Sequence, residues 1–156
     1  MRPSARLIVF RANWWLKTIK QVEVLASRLQ EKLGSTSIVL YGSYARGDFN
    51  KWSDIDLLVI SDRFRGVRVL DRYRLVESIV REGGVEPVLL APEEARSVLS
   101  RPGWRHALKH AVIVVDHYNV ASLVESITGK KPLSIGELKK TITAMREKAE
   151  KEIIEH

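Results

Sequence analysis

Two short apolar, β-branched runs, Ser37–Tyr41 and Ile55–Ile60, are joined by a polar connection that contains Gly42, Gly47, Asp48 and Asp54. Runs of this length bounded by turn residues read as buried strands rather than helices, and the first ends at Gly42 as a strand does before a tight turn. The flanking segments read differently. Leu16, Ile19, Val22, Leu25, Ala26, Leu29 and Leu33 recur at helical spacing over residues 14–33, with Gly34 where a helix would stop. Leu70, Tyr73, Val76, Ile79 and Val80 do the same over residues 68–82, ahead of Gly83-Gly84.

Val85–Leu90 and Ala111–Val115 supply a third and a fourth strand. Between them, Pro92 followed by Glu93 and Glu94 opens a short helix to about Leu99, because proline suits the first helical position and acids favour the positive helix end. A further short helix is expected near Trp104–Lys109. The expected fold is therefore α/β (α+β), a small mixed sheet of about four strands flanked by helices. From Gly129 the chain changes character. Gly129-Lys130-Lys131-Pro132 forms a basic linker, and Ser134 with Glu137 makes a capping box for a last amphipathic helix. Its seam of Ile135, Leu138, Ile142, Met145 and Ala149 must pack either on its own domain or on a second chain. The expected division is a domain over 1–128 and a linker with C-terminal helix over 129–156.

With 156 residues, 45% apolar and 29% charged, the chain has the make-up of a globular domain large enough for a real core. The apolar stretch Leu7–Phe10 is cut by Arg11 and is too short for a signal-peptide core, and no run is long enough to span a bilayer, so the expected location is the cytoplasm, with no membrane contact. The absence of cysteine excludes disulfides and thiolate metal sites, which leaves oxygen as the donor for any metal. The net charge of +7 suits polyanionic partners such as nucleotides or nucleic acid, and also suits solubility alone.

The chemistry concentrates in the connection between the first two strands. Gly42 permits close approach of a ligand, and the Ser43 hydroxyl with nearby backbone N–H groups could cradle a phosphate. On the next strand Asp54 and Asp56 lie two residues apart, so both carboxylates share one face, about 6.6 Å apart along the backbone. Mg²⁺ prefers such oxygen ligands together with substrate phosphates. Arg46, three residues past Ser43, either grips phosphate oxygens or pairs with Asp48. Lys51 and Trp52 offer a charged or stacking contact, or a loop anchor. Trp14 and Trp15 read as helix packing.

Gly42-Ser43, the ten residues Tyr44–Ser53, and Asp54-Ile55-Asp56 reproduce without a gap the motif of the small minimal nucleotidyltransferases, which this chain resembles over residues 12–116. That group belongs to the superfamily related to DNA polymerase β. The resemblance implies the polymerase β-like fold, two Mg²⁺ ions held by Asp54 and Asp56, and a third carboxylate on a neighbouring strand. Glu86 is the candidate; it would hold the catalytic ion and help deprotonate the acceptor, although the family more often has aspartate there and Pro87 lacks a strand N–H. Asp116 is the poorer substitute.

The implied reaction is transfer of a nucleoside monophosphate, AMP from ATP, to a hydroxyl. By resemblance the acceptor is a tyrosine of a HEPN-type toxin partner, and the C-terminal helix would suit that partner or a homodimer. Two rivals stand beside this reading. A non-catalytic, antitoxin-like module would neutralise its partner even with both aspartates changed to asparagine. A basic nucleic-acid-binding protein would bind with steep salt dependence and indifference to Mg²⁺.

Overall fold

The computed structural model describes residues 3–155. Helix α1, Ala5–Leu33, starts earlier than its periodicity suggests. Ser4 caps it by accepting the Leu7 N–H, while Leu7 and Phe10 in its first turns stay largely exposed, so no buried stripe marks them in the sequence. Strand β1, Ser37–Tyr41, runs into a four-residue helical turn, α2, Ser43–Arg46. Strand β2, Ile55–Ile60, follows, then a 3-10 turn at Asp62–Phe64 and helix α3, Val69–Val80.

Strand β3, Val85–Leu90, leads to α4, Pro92–Leu99, and α5, Pro102–Ala107. Strand β4 spans Val112–Asp116. Helix α6, Val120–Thr128, was not evident from the sequence; Asn119 precedes it in a left-handed conformation, and its cap comes from outside the helix, as described below. A two-residue strand β5, Leu133–Ser134, precedes the last helix α7, Ile135–Glu155. The expected capping box is present: Ser134 N–H donates to the Glu137 carboxylate, and Glu137 N–H donates to the Ser134 hydroxyl.

The sheet has five strands in the order β3-β2-β1-β4-β5, with β1 antiparallel to both neighbours and the outer pairs parallel. The fifth strand is too short to carry an apolar signal of its own. Alternation along each strand sends side chains to two cores. Ile38, Leu40, Ile55, Leu57 and Val59 meet α1, α3 and α7 on one face, whereas Val39, Leu58, Ile60 and Leu90 meet α4, α5 and α6 on the other. Pro87 is accommodated because β3 is an edge strand, whose outer N–H groups need no ladder partner.

Helix α3 buries Val76, Ile79 and Val80 as its apolar spacing implies, but its first turns depart from that spacing. Leu70 is 88% exposed and Tyr73 is partly exposed, whereas Arg72 is buried. The Arg72 guanidinium donates to the carbonyls of Val67 and Leu89 and pairs with Glu94 at 2.7 Å, tying α3, β3 and α4 together. A buried charge is tolerable with its donors satisfied in this way. The seam of α7 lies on α1: Leu138, Ile142 and Ala149 are buried, Ile135 packs against the same core, and Met145 stays partly exposed. Lys139–Glu23 and Arg146–Asn13 contacts fix the two helices antiparallel. Among the described residues no helix is long and apolar enough to cross a membrane.

Ile142 is fully buried between α7 and α1. Ile142→Ala should therefore lower the unfolding free energy by about 2–5 kcal/mol in urea denaturation. A loss under about 0.5 kcal/mol would mean that α7 does not hold this position in solution.

Candidate active site

The antiparallel register sets Tyr41 opposite Asp56, and the parallel register sets Glu86 on the other side of Asp56. By strand alternation these three side chains form one row across β1, β2 and β3, on the face that carries Leu58 and Val88. The row sits at the end of the sheet where β1 finishes and β2 and β3 begin. Asp54, exposed just ahead of β2, belongs to the same face two residues earlier. The adjacent Ile55 N–H donates to the Gly84 carbonyl, and Gln21 from α1 donates to the Gly83 carbonyl, so the start of β3 is held against β2.

Gly42 has φ +76°, and a Cβ built there would fall 2.2 Å from Asp56 Oδ2. Only glycine lets the turn lie directly on the carboxylate. The turn closes as the Gly42 carbonyl accepts from the Ala45 and Arg46 N–H groups. Ser43 follows, half-buried, and its hydroxyl has no hydrogen-bond partner among the described residues.

Helix α1 holds this loop from behind. Arg11 donates to the carbonyls of Gly47 and Phe49, with its guanidinium 4.3 Å from the Phe49 ring centre, and Trp15 Nε1 donates to the Tyr44 carbonyl at 2.6 Å. Trp14, Trp15 and Tyr44 all pack on the buried Phe49 ring. The two tryptophans are therefore packing residues, as their place on an amphipathic helix suggests. Arg11 and Phe49 escaped sequence reading because their partners are backbone carbonyls and rings distant in the chain.

Arg46 pairs with Asp48 at 3.1 Å, and both are exposed. Trp52 is 79% exposed, with Lys51 over its ring at 4.8 Å, so it anchors nothing. Asp116 lies at the far end of the sheet, beside Ser37. Its carboxylate accepts the Val120 and Ala121 N–H groups and the Ser37 hydroxyl, which makes it the cap of α6.

Electrostatics mark the row. Burial pushes the Asp56 carboxyl above the ordinary carboxylate value, the Glu86 and Asp54 charges push it further, and Arg46 opposes them in part. Burial, with Asp56 and Glu86 alongside, pushes the Tyr41 phenol up to about 12. Among the described residues no group of three His, Cys, Asp or Glu is placed to hold a metal ion by itself. The donor set nonetheless fits a hard divalent cation that takes its remaining ligands from substrate phosphates, since all three acids offer oxygen and Arg46 offsets the charge on Asp56 only in part.

Comparison with known proteins gives the family and the fold. A family model described as a nucleotidyltransferase domain matches residues 22–133. Two proteins of Methanocaldococcus jannaschii that carry the provisional name protein adenylyltransferase are similar to this chain. One is 36% identical over 75 residues, covering 43% of this chain and 50% of that one, and the other is 45% identical over 47 residues, covering 30% and 45%. The chain thus spans about half the length of the curated relatives it matches. A crystal structure from Sulfolobus solfataricus, provisionally named a nucleotidyltransferase, has a TM-score of 0.54 at 19% identity, covering 72% of this chain and 90% of that one, which speaks for the fold.

Two outcomes are expected. Gly42→Ala puts a methyl group against Asp56 and strains a positive φ, so it should destabilise the protein by about 1–3 kcal/mol in denaturant unfolding. Asp56 is an acid whose folded value is raised, so its contribution is most favourable below the unfolded carboxylate value and is lost as pH rises through the raised one. Asp56→Asn should therefore melt higher than wild type at neutral pH in chelator, with the gap closing on acidification. An equal melting temperature at neutral pH would show that the carboxylates do not strain one another.

Proposed function

This chain belongs to the nucleotidyltransferase domain family, and we propose on that premise that it transfers a nucleoside monophosphate, AMP from ATP, to a hydroxyl acceptor. The observation that carries the reading is the alignment of Asp56 with Glu86 on neighbouring strands beneath the Gly42-Ser43 turn. Asp54 and Asp56 would hold two Mg²⁺ ions, and Glu86 would complete the ligands of one. Bound there, the cations supply Lewis-acid stabilisation of the charge that builds on the entering and leaving oxygens.

The chain's own groups have separable tasks. Ser43 and the turn after Gly42 grip the triphosphate, and Arg46, released from Asp48, gives a guanidinium to its oxygens. Glu86 takes the acceptor proton as the hydroxyl oxygen bonds to the α-phosphorus; the bond from that phosphorus to the bridging oxygen breaks, and pyrophosphate leaves with the electron pair. Tyr41 and Trp104, whose ring centres are 5.2 Å apart, wall the same face.

The acceptor we favour is a protein hydroxyl, a tyrosine of a HEPN-type partner. The names of the Methanocaldococcus relatives support a protein acceptor, and the family resemblance supplies the tyrosine and the partner. Such a partner, or a second copy, would meet α7 on its outer face, since the apolar seam is spent on α1. Plain nucleic-acid binding is disfavoured because three acids facing a phosphate repel it unless a cation intervenes.

The test is incubation with α-labelled ATP, Mg²⁺ and the product of the adjacent gene. Label should appear on that partner and fall about 100-fold or more in Asp56→Asn, the scale expected when a group that stabilises transition-state charge is removed. Transfer that is indifferent to this substitution would end the proposal.

A further inference from the structure

The end of the sheet remote from the acids, where β2 finishes and α4 and α6 start, carries a cavity of about 380 Å³. Helices α4 and α6 each pack on α5 but scarcely on each other, so the second core thins out between them. Ile60, the last residue of β2, floors the gap, and Ala95, Val120 and Leu123 line its sides. Ile60 lies four residues beyond Asp56 along the same strand, about 13 Å away, so the cavity is separate from the acid row.

Polar groups complete the wall. Ser122 Oγ donates to the Asn119 side chain and Ser126 Oγ donates to the Leu123 carbonyl, so each hydroxyl proton is spent and only lone pairs are left for a ligand. Tyr118 is fixed in place, its hydroxyl donating to the Ser35 carbonyl and accepting the Asp62 N–H. The Arg96 guanidinium, by contrast, forms no ion pair or hydrogen bond among the described residues. No acid among the described residues lines the cavity. Of those nearest in the chain, Glu93 is taken by Arg65, Glu94 by Arg72, and Asp116 by the first N–H groups of α6, while Glu125 is exposed outside the lining.

A concavity of this size, apolar at its base with a few polar groups around it, has the form of a small-molecule pocket. Its donors and acceptors select the ligand. A planar guanidinium fork takes a carboxylate or a phosphate, the serine oxygens take N–H or O–H groups, and the aliphatic floor takes an apolar or ring-shaped body. We propose that the α4–α6 pocket binds a small organic anion, a carboxylate or phosphate monoester carried on an apolar body with a hydrogen-bond donor, and that Arg96 is its anion anchor. A bare inorganic anion would leave the floor and the serines unused, and an uncharged ligand would leave Arg96 unmatched.

The test is titration of the isotope-labelled full chain, followed by its backbone amide shifts. The phosphate probe is adenosine monophosphate and the carboxylate probe is N-acetylphenylalanine, with adenosine and N-acetylphenylalanine amide as their uncharged counterparts. At least one anion should shift the amides of Arg96, Val120 and Leu123 with a Kd below about 1 mM, and its uncharged counterpart should bind at least about tenfold more weakly. Which anion binds tells phosphate from carboxylate. Arg96→Gln, at an exposed position, should weaken that ligand at least about tenfold with an unchanged melting temperature, the scale of a lost hydrogen bond to a charged group. Ser126→Trp, which fills the pocket from another exposed position, should abolish the shifts. No shift at the pocket with either anion at millimolar concentration, equal affinity for the uncharged counterpart, or affinity unaltered in both variants would overturn the site. Shifts confined to Gly42, Ser43 and Asp56 would seat the ligand in the active centre alone and overturn it equally.

Discussion

Parallel pairing of β2 with β3 brings Asp56 and Glu86 side by side at the spacing of adjacent strands, about 4.8 Å, and Gly42 folds down on top of them. Two like charges at this range, one of them half-buried, oppose the pairing that creates them. The strands stay together because the same ladder continues into Leu57, Leu58, Val59 and Ile60, all almost wholly buried, whose apolar contacts outweigh the repulsion at its mouth. A repulsive cluster sustained by an apolar ladder is the kind of conflict that functional sites retain, and a bound cation would resolve it.

The site's remaining parts are held from outside the ladder. Helix α1 reaches over the Gly42–Phe49 loop with Arg11 and Trp15, both of which bond to backbone carbonyls rather than to side chains. These contacts fix the path of the loop and leave its upper surface open. On the far side Arg72 ties β3 to α3 and α4 through two carbonyls and Glu94. The loop and the edge strand thus each have a buried or half-buried arginine as anchor, and the Asp56–Glu86 row lies between them.

One end of the sheet is electrically divided. Acids occupy the β2–β3 side, Lys109, Lys130 and Lys131 the β4–β5 side, and the glycine-serine turn separates them. Such a division sets up a field along this end of the sheet, from the lysines toward the acids. It also puts the net charge of +7 in perspective, because part of that excess is concentrated at one cleft instead of being spread for solubility.

From the sequence alone the two central strands, the glycine-serine turn, the acid pair, the long first helix and the capping box of α7 were legible, because each is governed by local periodicity, backbone freedom or a capping pattern of three or four residues. Tertiary structure decided the rest. Whether Glu86 faces Asp56 depends on a parallel register that no local signal encodes. Asp116 caps a helix instead of joining the other acids because β4 runs antiparallel to β1 and carries its end away from them. Arg72 points inward while Leu70 points out because Val67, Leu89 and Glu94 offer three acceptors there. Lys109 and Lys131, far apart in the chain, share a cleft only because β5 adds to the edge of β4. Such pairings follow from how distant segments satisfy one another's hydrogen bonds and apolar faces, a property of the folded chain that no local stretch contains.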